Sequence, residues 1–390
     1  MYISLGLVIS DNNDCDFKSK VAKEHHNILG RSVQQWSKVP LEEVTNNIQS
    51  ISFQDLEKCK EILSQAQQVV INWSDQPLIL AETVQRLLTI HIAEGNNATA
   101  VFASDGEAVV YAFDCKILIK KLNELNISSL SRDILKDIFK VTEKSNKSIY
   151  EDKSQFLIVK DRVALSLATE EIKSRINQQI MLSGVTIVDP SSTYIDYGVE
   201  IGMDSIILPN TILQGNTAIG EDCTIGPNSR ISNCIIGNNV EVANSVAIDS
   251  SIGDETHVGP FAYLRPGSVI GSKVKIGDFV EIKKSLIGDK TKISHLTYIG
   301  DAEIGKNVNV GCGVVVVNYD GKHKNKTIVE DNCFIGCNTN LVSPVIVHSG
   351  AYTAAGSTIT DAVPENSLAI ARERQVIKHD WVSKKGLTRG

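Results

Sequence analysis

The sequence lacks an excess of positive charge, a long apolar run and any CxxC pair. Its 390 residues carry 39 Lys and Arg against 46 Asp and Glu, a formal net charge of -7. That balance excludes a general nucleic-acid or polyanion binder, because phosphate-backbone affinity comes from clustered cations. Any anion site must be local. No stretch approaches the ~18 apolar residues of a membrane span, so no membrane insertion is expected. The opening MYISLGLVISDNNDCDF has neither a basic n-region nor a small-residue cleavage site, and a cytoplasmic location is the expectation. The eight cysteines (Cys15, Cys59, Cys115, Cys223, Cys234, Cys312, Cys333 and Cys337) are scattered without a disulfide-like framework, so reduced thiols are expected. Cys333 and Cys337 have no ligand-type neighbours and read as fillers inside the fold rather than a metal site. The histidines His257, His295, His323 and His348 likewise contain no closely spaced pair, so no metal is expected.

What the sequence does have is a repeat. Ile-Gly and Val-Gly pairs recur at six-residue spacing through the second half, among them Ile219-Gly220, Ile225-Gly226, Ile270-Gly271, Ile276-Gly277, Ile299-Gly300 and Ile304-Gly305. An aliphatic residue every sixth position, followed by a small one, is what a parallel β-helix needs: one inward side chain per flat face and a tight turn between faces. The first half instead alternates apolar runs with amphipathic ones. Strands are expected at Ile3 to Ile9, Val69 to Trp73, Thr99 to Phe102 and Phe156 to Val159, and helices at Glu82 to Ala93, Cys115 to Leu125 and Ser131 to Thr142. This predicts an α/β domain with a mostly parallel sheet over 1–164, a linker helix over 165–183, a β-helix over 184–370 and a basic tail over 371–390.

The hexads break once. NYDGKHKNKT, between Val317 and Ile328, is polar and basic and must leave the coil as a loop, and long excursions from rigid scaffolds carry function. Around it, Arg265, Lys283, Tyr298 and Lys324 lie at intervals that whole coils of about 18 residues would bring together. An Arg, two Lys and a Tyr hydroxyl suit an anion such as a phosphate. His295, close in sequence to Tyr298, could accept a proton near neutral pH, with the Glu281 carboxylate available to orient it.

GPFAYLRPGS, VKIGDFVEIKKS, HLTYIGDAEIGKNVNVG, NYDGKHKNKT and AGSTIT...VPENSLAIAR resemble the acetyltransferase domain of the bacterial N-acetylglucosamine-1-phosphate uridyltransferase/glucosamine-1-phosphate N-acetyltransferase family. The resemblance runs from about Gly184 to Arg374. It implies a left-handed β-helix assembled as a homotrimer, with acetyl-CoA and glucosamine 1-phosphate held between subunits. By motif position it implies that Arg265, Lys283, Tyr298 and Lys324 hold the sugar phosphate and that Asn309 and Glu281 contact or support the sugar site. His295 would be the general base and Glu281 its support. Asn318 and Tyr319 would line the acetyl-transfer centre, and Ala355 and Arg372 would fall at coenzyme A positions. Cys337 stands where the family usually has Ser beside the acetyl group, and Cys312 stands for a small Ala whose backbone faces the coenzyme. A thiol donates a weaker hydrogen bond than a hydroxyl, so Cys337 would slow the reaction without abolishing it.

The first half resembles the family's uridyltransferase domain in reduced form. VAKEHHNILGRSV places Lys23 at a phosphate-contacting position, and SDQPLILAETVQRL places Asp75 at a metal-binding one. The glycine-rich nucleotide loop is replaced by SDNNDCDFKSK, which has no glycine and three aspartates. FQDLEKCKE stands in place of the uracil segment, and the stretch between ASDGEA and VVYAFDCK is shortened. The family's second metal ligand is Lys160 in IVKDR, which would put a cation in the Mg²⁺ site. These changes imply that uridyl transfer is lost. The expectation is therefore direct acetyl transfer from acetyl-CoA to glucosamine 1-phosphate, without a metal. An acetyltransferase for another amino sugar, or a non-catalytic regulatory paralogue, remain alternatives.

Overall fold

The computed structural model describes residues 4–11, 17–103, 108–150 and 154–387. Ile3, Cys15, two of the three loop aspartates (Asp14 and Asp16), the Ser104–Glu107 part of ASDGEA and Arg389 lie outside the described residues. The chain forms two compact units, one of Met1–Gln179 with Ile195–Tyr197 and one of the remainder.

The first unit is a six-stranded sheet in the order 48–52, 4–10, 68–73, 108–114, 98–103, 145–150. All strands run parallel except Ala108–Asp114, which is antiparallel to both neighbours. Both faces are covered, as parallel sheets require. Leu5, Leu7, Ile71 and Trp73 point into one core with helices Leu56–Ser64, Cys115–Glu124 and Arg132–Lys140, while Val8, Val70 and Val110 face the other with Ala81–Ala93. Helix starts are set locally: Ser32 and Gln35 form a reciprocal capping box at Val33–Glu42, and Asp114 and Ser131 cap two others.

Two features of this unit differ from the sequence reading. Phe156 to Val159 is not a strand; Ser154–Phe156 is a single 3₁₀ turn, and the Val159 amide bonds the Asp75 carbonyl at 2.9 Å instead of entering a ladder. The edge strand is Ser145–Tyr150, whose polar sequence SNKSIY gives no apolar alternation. Next, Arg162–Leu182 forms one uninterrupted helix, held by the Asp161 carboxylate accepting from the Ala164 amide at 2.8 Å and by Arg175 donating to the Leu78 carbonyl at 2.9 Å.

The second unit is a three-faced parallel β-helix whose faces are sheets of 10, 9 and 11 strands. Successive faces are occupied in turn, so each strand pairs with the one a full coil later. One inward column runs Ile225, Val242, Val258, Ile276, Ile293, Val310 and Ile335 in unbroken register. All are at most 3% exposed. Corners are tight enough to need left-handed backbone, which Asn and Asp tolerate best; Asn210, Asp222, Asn228, Asn233, Asn239 and Asp249 take it. Their amides also link neighbouring coils, as in Asn233 to Asp249 at 3.0 Å. The coils end at Leu368–Ala369, and the described tail beyond, including its short helix Trp381–Lys384, is exposed.

Because each inward residue packs only against its own coil and the two beside it, truncation leaves a hole that cannot collapse. Ile282, fully buried in the middle of the stack, should therefore lose about 2–5 kcal/mol as Ile282→Ala, read by chemical or thermal unfolding.

Candidate active site

Two clusters of polar side chains are built on the β-helix around residues 263–372. The first lies on the ten-stranded face. Tyr263, Glu281, Tyr298 and Val315 occupy one position in consecutive coils, and the Arg265 amide bonds the Ile282 carbonyl at 2.8 Å, which sets Arg265 beside Lys283. Arg265 Nη1 donates to Glu281 Oε1 at 2.8 Å. Lys283 Nζ reaches Asp301 Oδ2 at 3.2 Å, and Asn318 Nδ2 donates to the same carboxylate oxygen. Lys324 comes from the excursion and meets Lys283. Contact with Lys283 pushes Lys324 below the ordinary lysine value of 10.5. Lys283 is raised, first by its contact with Lys324 and then by Asp301. The four residues expected to hold a phosphate, Arg265, Lys283, Tyr298 and Lys324, are thus brought together. Asn309 stands apart on the eleven-stranded face, paired with Lys292 and Phe334.

Backbone geometry makes this cluster possible. A Cβ on Gly300 would lie 2.4 Å from the Tyr298 hydroxyl and 2.8 Å from Asn318 Nδ2, so only glycine lets both groups converge there. Asp301 follows in left-handed backbone with φ 50°, its carbonyl accepting from the Thr327 amide at 3.4 Å. Asp301 therefore touches the clamp, Asn318 and the point where the excursion rejoins the coil. The excursion is ordered: Tyr319 and Lys324 form an antiparallel bridge, the Asp320 carboxylate accepts from the amides of Lys322 and His323, and the exposed Tyr319 hydroxyl donates to the Gly321 carbonyl at 2.6 Å.

The second cluster follows the corner between the eleven- and ten-stranded faces. Asp278 pairs with His295 in the ladder, and the same bond, from the amide after each residue to the residue's carbonyl one coil earlier, repeats down the corner. It joins Leu296 to Asp278 at 3.0 Å, Gly313 to His295 at 3.3 Å, Asn338 to Cys312 at 2.7 Å and Gly356 to Cys337 at 2.8 Å. Asp278, His295, Cys312, Cys337 and Ala355 are therefore one column, stepping by the ~4.8 Å strand spacing. Arg372 joins it at the far end, its Cδ 3.8 Å from a Cβ built on Gly356.

The orienting carboxylate differs from the sequence reading. Glu281 does not meet His295, because it lies past the corner and its carboxylate is taken by Arg265. Asp278 hydrogen-bonds His295 Nδ1 instead. That contact is also the leading cause that holds Asp278 below the ordinary carboxylate value of 3.8, so its oxygens accept and Nδ1 donates. Nε2 is then the basic nitrogen. Asp278 and Asp301 were both missed in the sequence. The signal for Asp278 was its separation of 17 residues from His295, one coil rather than two hexads. The cysteines also divide: Cys223, Cys234 and Cys333 are buried fillers, but Cys337 is exposed and Cys312 half-buried.

In the first unit, Asp75 is 2% exposed and already neutralised. Lys23 Nζ lies 3.0 Å from Asp75 Oδ2 and 2.9 Å from Asp11, while Arg132 donates to Asp75 Oδ1 and stacks 4.5 Å from the Trp73 ring centroid. Lys160, expected at a metal ligand's position, is exposed, whereas the cations on Asp75 are Lys23 and Arg132. Lys23 is also not presented to a phosphate: it is buried, and although desolvation opposes its charge, Asp75 and Asp11 raise it overall. Among the described residues no group of three or more His, Cys, Asp and Glu is arranged to hold a metal ion, and no helix is long and apolar enough to cross a membrane.

Residues 198–233 and 249–284 match the bacterial transferase hexapeptide family (six repeats). Among solved structures the chain is similar to an Arabidopsis UDP-N-acetylglucosamine acyltransferase, at 18% identity over 53% of this chain and 74% of that one, with a TM-score of 0.30. That score is too low to bear on fold or function. Similarity to curated relatives is much higher. The bifunctional protein GlmU of Acetivibrio thermocellus is 46% identical over 361 residues, covering 82% of this chain and 78% of that protein. The protein of the same name from Clostridium kluyveri is 42% identical over 358 residues with the same coverage. With identity at this level across more than three quarters of both sequences, the chain belongs to the family of the bifunctional protein GlmU.

Proposed function

We propose that this chain transfers the acetyl group of acetyl-CoA to the amino group of glucosamine 1-phosphate, and that its first unit has given up uridyl transfer. The observation that carries the first half is the pairing of an anion clamp on one face with an Asp-oriented histidine at its edge. Arg265, Lys283, Lys324 and Tyr298 would hold the sugar phosphate. His295 Nε2 would take a proton from the C2 ammonium while Asp278 holds Nδ1–H and balances the imidazolium charge. The freed amine then attacks the thioester carbonyl, the oxyanion being met by backbone amides and by the Asn318 N–H that Asp301 leaves over. Coenzyme A departs as thiolate along the corner toward Ala355 and Arg372, with Tyr319 and Cys312 beside its path. No metal is needed in this sequence of steps.

A homotrimer would fit the same reading. The nine-stranded face carries a shallow groove of about 600 Å³ lined by Val269, Leu286, Ile304, Ile328 and Val329. Val269 and Leu286 are nearly half exposed. We propose that this face packs against further copies in a homotrimer in the cytoplasm, which brings a second chain's residues to the clamp.

For the first unit, the buried pairing of Asp75 with Lys23 and Arg132 supports the loss of a divalent-cation site. A metal would have to displace two cations from a carboxylate sealed from water.

Four measurements test these proposals. Thiol release with acetyl-CoA and glucosamine 1-phosphate should yield N-acetylglucosamine 1-phosphate by mass, and UTP with Mg²⁺ should yield no sugar nucleotide; turnover of a different amine only would overturn the acceptor. His295→Ala should lower kcat by about 10²–10⁴-fold, and Asp278→Ala by less, with acceptor KM little changed in both. Because Lys324 titrates below 10.5, raising the pH should strip its charge before that of an ordinary lysine. Acceptor KM should then climb early on the alkaline side, and Lys324→Gln should flatten that climb. Finally, Asp75→Ala removes the buried carboxylate that Lys23 and Arg132 share, so unfolding should show a loss of about 3–5 kcal/mol, while Mg²⁺ and EDTA leave the wild-type melting temperature in place.

A further inference from the structure

We propose that Cys312 and Cys337 form a redox-modifiable dithiol, which a low-molecular-weight disulfide closes to a disulfide bond across two neighbouring coils. The two residues are 25 apart in sequence yet occupy the same position in consecutive coils. Val310 pairs with Ile335, and the Asn338 amide bonds the Cys312 carbonyl at 2.7 Å. The Cα atoms are thereby held one strand spacing, about 4.8 Å, apart. That lies inside the ~4.4–6.8 Å range of disulfide-linked residues. In-register positions on parallel strands present their side chains on the same side, so both thiols face out of the same corner.

Access separates this pair from the other thiols. Cys337 is exposed and Cys312 half-buried. Burial pushes the thiols of Cys59 and Cys115 up to about 12, and it raises those of Cys223, Cys234 and Cys333. The last three also give their S–H to carbonyls inside the coils, Cys223 to Gly237 at 3.1 Å and Cys333 to His348 at 3.1 Å. Such thiols are poor nucleophiles. The pair has no third ligand, since no metal-holding group of three occurs among the described residues.

The chemistry balances with a disulfide RSSR as oxidant. The Cys337 thiolate attacks one sulfur, forming a mixed disulfide and expelling RS⁻, which takes up the proton lost by Cys337. The Cys312 thiolate then attacks Cys337 Sγ, forming the protein disulfide and expelling the second RSH. Two thiols are oxidised and one external disulfide is reduced to two thiols. A site that releases coenzyme A beside Cys337 is exposed to the disulfide of that same thiol. This consequence for catalysis rests on the acetyl-transfer reading; the bond itself does not.

The test uses the full chain, reduced and then treated with coenzyme A disulfide, alkylated with N-ethylmaleimide and mapped by peptide mass. The expected result is a joined Cys312–Cys337 peptide pair, two hydrogens lighter, and acetyl transfer at least tenfold lower until dithiothreitol restores it. Cys312→Ala should stop at a Cys337–coenzyme A adduct, and Cys337→Ser should give an oxidised-to-reduced activity ratio near one. Recovery of both cysteines separately alkylated, or a persistent coenzyme A adduct in the wild type, would overturn the dithiol. A bond that closes in a chain with no acetyl transfer when reduced would overturn the functional reading and leave the dithiol standing.

Discussion

Everything on the β-helix depends on the parallel hydrogen-bond ladder between coils. Once Ile276 is opposite Ile293 and Ile293 opposite Val310, every outward residue on that strand is fixed beside its counterpart one coil away. Chemistry can then be assembled from residues 17 to 25 positions apart without any loop having to find its place. The inward aliphatic column supplies the burial that keeps the ladder closed, and outward groups inherit its precision. That is how a histidine acquires its carboxylate, two lysines meet over one aspartate, and two thiols stand side by side. Sites built on such elements hold their geometry better than sites on loops.

The first unit works by a different balance. Its sheet is held by apolar packing on both faces, and its buried Asp75 is closed by charge. Asp75 sits at 2% exposure between Lys23 and Arg132, with Arg132 laid on Trp73. A buried carboxylate must be matched by cations of some kind, and here the chain supplies both. The result is a structural ion network sealed beneath the surface of the unit.

Much of this was legible in the sequence, for a physical reason. Hexads such as Ile270-Gly271 and Ile276-Gly277 are one-dimensional addresses, so the β-helix, its coil order and the excursion after Val317 follow from spacing alone. Clamp residues followed because Arg265 and Lys283 are one coil apart. Asp278 was hidden because coils near it contain 17 residues rather than 18, so counting hexads led to Glu281 instead. Arg132 was hidden too: it meets Asp75 across 57 residues of an α/β unit that has no repeat to count. The Ser145–Tyr150 strand was hidden because SNKSIY offers no apolar alternation to read. Phe156 to Val159 looked strand-like because apolar composition says nothing about where backbone amides go; these went to a turn and to the Asp75 carbonyl.

The excursion at 318–326 has one further consequence. Ala302 pairs with Thr327 and Ile304 with Val329, so the chain leaves the coil and returns without altering the register on either side. Changes of length inside this segment are therefore absorbed where they occur. A deletion within a strand such as Lys275–Asp278 would instead move that strand's outward side chains to inward positions, because side chains alternate along it. Within the solenoid, changes of length fall in this loop and at the corners, where coils of 16, 17 and 18 residues already keep one register, and never inside the strands.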